Sequence, residues 1–198
     1  MNKHIVIAGD SIFDNGAYVP GEKDVFQQLK DLAEGQAEVT SLAVDGSVTE
    51  DVLTQITRLP SNTTHLFISS GGNDALRQMG LLSQSVQSVA EAMLILSTSQ
   101  EQFRAQYRKL IARIQLLTNT KTVVCTIYHP NSEAEKQSVM DIGVSLFNDV
   151  IVEETNKARI PVLDIRGIFL NREDYANEIE PSSIGGQKLA AAIFSVSS

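Results

Sequence analysis

Short runs of β-branched and other apolar residues alternate along the chain with stretches whose apolar positions recur every three or four residues. The first run, His4–Ala8, stops at Gly9 and reads as a buried strand of a parallel sheet. A loop carrying Gly16, Pro20 and Gly21 leads to a predicted helix near Asp24–Leu32. Val39–Val44 is the second predicted strand, followed by Gly46 and a helix from about Thr49 to Leu59. Thr64–Ser69 is the third, ending in Gly71-Gly72-Asn73-Asp74. A long helical region covers roughly Ser85–Leu117, with a break expected near Ser97–Ser99. In its second half Phe103, Tyr107, Leu110, Ile114 and Leu117 form one apolar stripe, the mark of a core-facing helix.

Thr122–Tyr128 is the fourth predicted strand, and His129-Pro130-Asn131 marks its exit. Val139, Ile142, Leu146 and Val150 describe an amphipathic helix reaching about Ala158, and Ile160–Ile165 is a short fifth strand. Pro181-Ser182-Ser183 opens the last helix, about Gly185–Phe194, with Ser183 expected as its N-cap. Strands alternating with helices in this way imply an α/β fold, a doubly wound parallel sheet with right-handed crossovers. No internal repeat, low-complexity tract or linker interrupts residues 1–198, so one domain is expected.

Composition narrows the partners. At 42% hydrophobic and 20% charged, the 198 residues suit a compact domain with a substantial core. The formal net charge of −8 comes with no Lys/Arg cluster, which argues against nucleic acid or an anionic membrane as partner. Cys125 is the single cysteine, so no intramolecular disulfide can form, and its apolar run marks it as a buried structural thiol. The apolar run after Lys3 is too short for a signal-peptide core, and no stretch approaches transmembrane length, so a cytoplasmic location is expected.

Candidate chemistry collects where strands end. In a parallel sheet the ends of the first three strands lie on one edge, which is where open α/β folds place ligands. Those ends are Gly9-Asp10-Ser11, Asp45-Gly46 and Gly71-Gly72-Asn73-Asp74. Acyl transfer needs an attacking oxygen and donors aimed at the developing oxyanion. Ser11 offers the oxygen and its own N–H, Gly46 an N–H that no side chain shields, and Asn73 an amide. An isolated Gly-Asp-Ser is also an ordinary turn; the agreement of three junctions is what sets this one apart. Asp14 and Asn15 follow the serine closely, with local turn hydrogen bonding as their first reading and polar substrate contact as the second. Together with Asp10, Asp74 and His129 they complete the candidate substrate-binding set. No metal site is expected, since neither H-x-x-x-H nor C-x-x-C spacing occurs. Gly71-Gly72 is not a phosphate loop, because no G-K-[ST] follows, and no cofactor is expected.

These blocks, in this order and spacing, resemble the SGNH subgroup of the GDSL-type esterases and lipases, over essentially the whole chain. The resemblance implies a flavodoxin-like three-layer α/β/α sandwich with a five-stranded parallel sheet. It also implies a small-molecule ester substrate, with Ser11 as nucleophile and an oxyanion hole from the Ser11 and Gly46 amides and Asn73. The acyl part would be a small acyl or acetyl group on a carbohydrate or lipid. The chain departs from the family in its last block, where an aspartate is followed three residues later by a histidine. Here the stretch reads Asn177-Glu178-Ile179-Glu180-Pro181-Ser182, so Glu180 holds the histidine slot and Asn177 the aspartate slot.

The two departures are coherent as a pair. A histidine base starts neutral and becomes a cation that a carboxylate stabilises. A glutamate base starts anionic and ends neutral, so a neighbouring aspartate would repel it, whereas an asparagine amide can donate to it. Basicity is the difficulty, since ordinary values of about 4.3 for Glu and about 6.5 for His leave roughly 3 kcal/mol in proton affinity unless burial raises the glutamate. Of the histidines, His4 and His65 fall at the opposite edge and read as structural; His129 leaves the fourth strand on the Ser11 side, a candidate for a relocated base. The leading expectation is a serine hydrolase acting on a carboxylic ester. The alternative is a ligand-binding member that keeps the oxyanion pocket but lacks a base.

Overall fold

The computed structural model describes residues 3–197. Five parallel strands form one sheet, β1 (Lys3–Ala8), β2 (Ala37–Ser41), β3 (His65–Ile68), β4 (Lys121–Cys125) and β5 (Val162–Leu163), in the order β2-β1-β3-β4-β5. Six helices accompany them: α1 (Val25–Ala33), α2 (Thr49–Gln55), α3 (Gly72–Leu76), α4 (Val89–Ile114), α5 (Ala134–Ala158) and α6 (Ser183–Val196). Alternation along β1 builds two cores. Ile5 and Ile7 join one with Val25 and Leu29 of α1 and Leu189 and Ile193 of α6. Val6 and Ala8 join the other with Val52 of α2, Phe103 and Tyr107 of α4 and Val150 of α5. The expected three-layer α/β/α sandwich follows from that division.

Element boundaries differ from those read off the apolar runs where side chains, not neighbouring strands, take up the backbone groups. β4 ends at Cys125 because the Ile127 N–H donates to Asn148 Oδ1 (2.7 Å) and the Ile127 carbonyl accepts from Asn148 Nδ2 (2.7 Å). β5 keeps only two residues; Pro161 has no N–H to give, although its carbonyl accepts from Val124 (3.0 Å). α4 runs unbroken through Ser97–Ser99, the Thr98 hydroxyl being satisfied within the helix by the Leu94 carbonyl (2.9 Å). The N-cap of α6 is Ser182, which accepts from Gly185 N, while the Ser183 hydroxyl donates to the Lys23 carbonyl (3.0 Å). His4 and His65 are structural: His4 bonds Thr40 Oγ1 (2.9 Å) and Asn62 Oδ1 (3.0 Å), and His65 bonds Thr64 Oγ1 (2.9 Å).

α4 and α5 run side by side, clamped where buried Glu154 accepts from Arg104 (3.1 Å) and Arg108 (3.0 Å). Both are far longer than the strands they cover. Neither buries a residue in its first ten positions; burial begins at Ser99 in α4 and Val144 in α5. At 1.5 Å per residue, each helix overhangs the carboxyl edge of the sheet by about 15 Å.

Candidate active site

At the carboxyl end of β1 the chain turns at Gly9, whose backbone lies so close to β3 that a Cβ would stand 2.6 Å from the Ser69 carbonyl oxygen. The turn is wound around Asp10. Its carbonyl accepts from the N–H groups of Phe13 and Asp14 (3.1 Å each), and its carboxylate Oδ1 accepts from Ile12 N (3.3 Å) and Ser69 Oγ (2.9 Å). Those bonds pass over Ser11, whose N–H makes none among the described residues. Burial pushes the Asp10 carboxyl up to about 6, opposed by the donors from Ser69 and Ile12.

The loop after β2 comes to the same place. Gly46 takes a left-handed φ of +78°, and its N–H too is without an internal partner among the described residues. Asn73, in the first turn of α3, donates one amide hydrogen to the Ser47 carbonyl (3.0 Å), which ties it to this loop and leaves the second hydrogen free. Two further residues fix the loop against the serine turn. Asp14 accepts from Asp45 N (2.9 Å). Gln55 of α2 is buried, accepts from Gly9 N (2.8 Å), and donates to both the Gly9 carbonyl (2.9 Å) and Ser47 Oγ (3.0 Å). Sequence reading missed Gln55. The signal available was a polar residue on the face shared by Val52 and Ile56.

Glu180 reaches the site from the far end of the chain. Tyr175 and Pro181 pair as a single antiparallel bridge, the Ala176 N–H donates to the Glu180 carbonyl (2.8 Å), and the Tyr128 hydroxyl donates to the Ile179 carbonyl. These contacts hold the Glu180 side chain in the cleft that Ser11 and Asn73 line. The carboxylate is 7% exposed, and its Oε2 has no hydrogen-bond partner among the described residues. Burial pushes the Glu180 carboxyl up to about 7; the Ser11 hydroxyl, acting as donor, opposes the rise, and the negative charges of Asp45 and Asp10 add to it. Asn177 acts differently from the expected amide donor to that carboxylate. Its Oδ1 accepts from the N–H groups of Ile179 and Glu180 (2.9 Å each), so it orders the backbone that carries Glu180.

The remaining candidates divide. Asn15 is fully buried, with Oδ1 accepting from Val25 N (2.9 Å) and Nδ2 donating to the Pro181 carbonyl (3.1 Å). Having no exposed surface, it ties the serine turn to the Glu180 segment instead of touching a ligand. Asp74 directs Oδ2 at the start of α2, accepting from Thr49 N (2.9 Å) and Thr49 Oγ1 (3.0 Å), and burial raises its pKa. His129 turns to α5, where Nδ1 lies 2.9 Å from Asp141 Oδ1; it does not line the cleft, so the relocated-base reading loses its geometry. Among the described residues no group of three or more His, Cys, Asp or Glu side chains is arranged to hold a metal ion. No described helix is long and apolar enough to cross a membrane.

The cleft, about 140 Å³ with the space at Ser11 and Glu180 included, has an apolar side that runs between the overhanging helices. Leu76, Met79, Leu96, Met140, Val144 and Phe147 line it.

A serine at the carboxyl end of β1, unspent N–H groups on two converging loops and a buried carboxyl thus gather at one edge of an α/β sandwich. The sequence matches the model of the GDSL-like lipase/acylhydrolase family over residues 7–185, and the chain belongs to that family of ester hydrolases. Solved structures agree on the fold. Phospholipase A1 from Streptomyces albidoflavus NA297 superposes with a TM-score of 0.73 at 16% identity, over 100% of each chain. The W215I form of Axe2, an acetyl xylan esterase from Geobacillus stearothermophilus, gives 0.70 at 17% identity, over 96% of this chain and 92% of its own. The lipase/acylhydrolase from Enterococcus faecalis gives 0.68 at 18% identity, over 98% and 94%. No curated protein matches the sequence.

Proposed function

We propose that this protein hydrolyses carboxylic esters of apolar acyl chains, with Ser11 as nucleophile and Glu180 as general base. Ser11 Oγ attacks the ester carbonyl as its proton passes to the Glu180 carboxylate. The Ser11 and Gly46 N–H groups and the free amide hydrogen of Asn73 receive the oxyanion. The protonated Glu180 then gives its proton to the leaving alkoxide, and an acyl-serine remains. Water, deprotonated by Glu180, attacks that ester, and the protonated Glu180 returns its proton to Ser11 Oγ as the acid departs. Asn177 and Asn15 position the Glu180 segment; Asp14 and Gln55 position the loops that carry the donors.

One observation carries this reading: the buried Glu180 side chain, in the slot where a histidine is expected, lines the same cleft as Ser11, and its burial pushes the carboxyl up to about 7. At its ordinary pKa a glutamate would hold a proton too weakly for this work; near 7 it matches an imidazole. The apolar side of the cleft supports, of the small acyl or acetyl groups expected from sequence, one longer than acetyl. The volume of the whole cleft is close to that of an engineered cavity of about 150 Å³ that takes up benzene, which sets about six carbons as the upper limit of the chain.

Glu180→Gln removes the base without changing the shape of the site. Turnover of a soluble p-nitrophenyl ester should fall by at least about a hundredfold, the low end of a general base's contribution. Serine labelling by a phosphonate probe should disappear in Ser11→Ala. Unchanged turnover in Glu180→Gln would remove the glutamate from the mechanism, and failure of the wild type to label would favour a non-catalytic binding protein.

A further inference from the structure

The apolar stripe of α4 does not stop where the core stops. Phe103, Tyr107, Leu110 and Ile114 are buried against the sheet, and the same three- and four-residue steps lead backward through Leu96, at the cleft, to Met93 and Val89. Those last two are 62% and 76% exposed. Leu94, 70% exposed, widens the stripe, and Ile142 of α5, 63% exposed, stands one helical step from Val139 at the cleft. Met79 and Leu82, in the turn before α4, both line the cleft and reach solvent. Bare apolar surface is therefore continuous with the lining of the pocket, where a monomer in water would favour polar residues.

Charge identifies the occupant. Residues 78–100 contain one ionisable side chain, Glu91, in a protein that is 20% charged. Even that carboxylate is engaged, accepting from Gln87 N (2.7 Å) at the helix start. The rest of the segment is Leu, Met, Val, Ile and Ala interspersed with Ser, Thr, Gln and Gly. A protein partner selected by charge has little to hold here, and an anionic membrane is repelled by a chain of net charge −8. An uncharged interface with an apolar interior meets neither obstacle.

We propose that the overhang of α4, with the turn before it and Ile142 of α5, docks on a zwitterionic lipid surface and opens the cleft onto that surface. A lipid ester then passes from the surface into the pocket with its acyl chain shielded from water. What is delivered rests on the acyl-ester reading above; the docking itself does not.

The test uses Ser11→Ala protein, which binds without turning over, floated on a density gradient with phosphatidylcholine vesicles. It should float with them. Val89→Gln, Met93→Gln and Ile142→Gln, combined in that background, leave the net charge unchanged and alter only exposed positions. They should lower the partition coefficient at least about tenfold, since each apolar side chain withdrawn from water contributes a factor of several, with the melting temperature of the parent retained. Three results would overturn the proposal: no flotation of the Ser11→Ala protein, equal flotation of the triple variant, or a sedimenting dimer that the triple variant converts to monomer. Flotation combined with no wild-type turnover of a soluble ester would leave the docking face standing and sink the hydrolase reading. Turnover without flotation would do the reverse.

Discussion

In the proposed mechanism Glu180 does the work of a histidine by virtue of its surroundings. Withdrawal from water, helped by the charges of Asp45 and Asp10, moves the carboxyl from 4.5 to about 7 and closes the gap that separated it from a histidine. The base acts only when ionised, so kcat/KM for a neutral soluble ester should rise with pH through about 7 and then level. A profile flat across that range would count against Glu180. The same shift acts on stability. A carboxyl raised in the folded state stabilises fully below its unfolded pKa and loses that contribution as pH rises through the folded value. The window runs from about 4.5 to about 7 for Glu180, and from about 3.8 to about 6 for Asp10. Above it Glu180→Gln should be more stable than the wild type, by about 1–3 kcal/mol in denaturant unfolding near pH 8, although it is inactive. A variant less stable there would mean that the buried carboxylate is held by interactions beyond those described. The slot that Glu180 fills was legible in the sequence, from the Pro-Ser and helix that follow it. Its pKa was not, because the burial that sets it comes from Tyr128 holding the Ile179 carbonyl, 51 residues away.

Among the elements, α2 carries more than its length suggests. Gly9 lies just past the last residue of β1; its N–H donates to the Gln55 side chain, and its carbonyl accepts from Gln55 as well as from Val44 N (3.0 Å), while the same amide holds Ser47 beside Gly46. One amide thus sets the spacing between two N–H groups that never touch each other. Gln55→Ala should lower kcat about tenfold or more with little change in KM, because the donors serve the oxyanion and not the ground state. It should also cost about 1–3 kcal/mol in stability, since the Gly9 N–H is left buried and unpaired while the Gly9 carbonyl keeps its bond from Val44 N. Gln55→Glu, able to accept from Gly9 N but not to donate, should recover part of the stability and little of the rate. Equal loss of kcat and rise of KM would mark a general collapse of the site. Apolar runs foretold each strand and every helix except the short α3, which starts within the glycine turn after β3, and the ends of β4 and β5 followed Asn148 and Pro161 instead of the apolar runs. Asp74 and Asn15 are of the same kind: their chemistry drew attention, and the fold spends it on a helix start and on a tie between segments.

Across the whole molecule, the pocket exists because long helices cover a short sheet. The predicted fourth and fifth strands were longer than β4 and β5, and strands of that length would have risen between the helices and left less of them bare. The strands end at Cys125 and Leu163, and α4 and α5 continue past them to frame the cleft together with Leu76 and Met79. A pocket made in this way is closed on its sides and open at its rim, so it should measure acyl chains by length. In a p-nitrophenyl ester series kcat/KM should rise from acetyl to hexanoyl by about two-hundredfold, four methylenes at about 0.8 kcal/mol each, and flatten beyond. An enzyme fastest on the acetyl ester would show that the chain does not enter the pocket. The stripe on α4 was evident from the sequence. That it outruns its support was not, since the overhang is a difference between two lengths.

A carboxyl base flanked by Asp10 and Asp45 also bears on how a catalytic cycle ends. The product forms as a neutral carboxylic acid within reach of Glu180, which has just returned its proton to Ser11. Two carboxylates at such a distance in a water-poor cleft repel strongly, so the acid's proton passes to Glu180, whose carboxyl burial pushes up to about 7, and the product anion departs from beside a neutral group. An imidazole taking the same proton would become a cation paired to that anion.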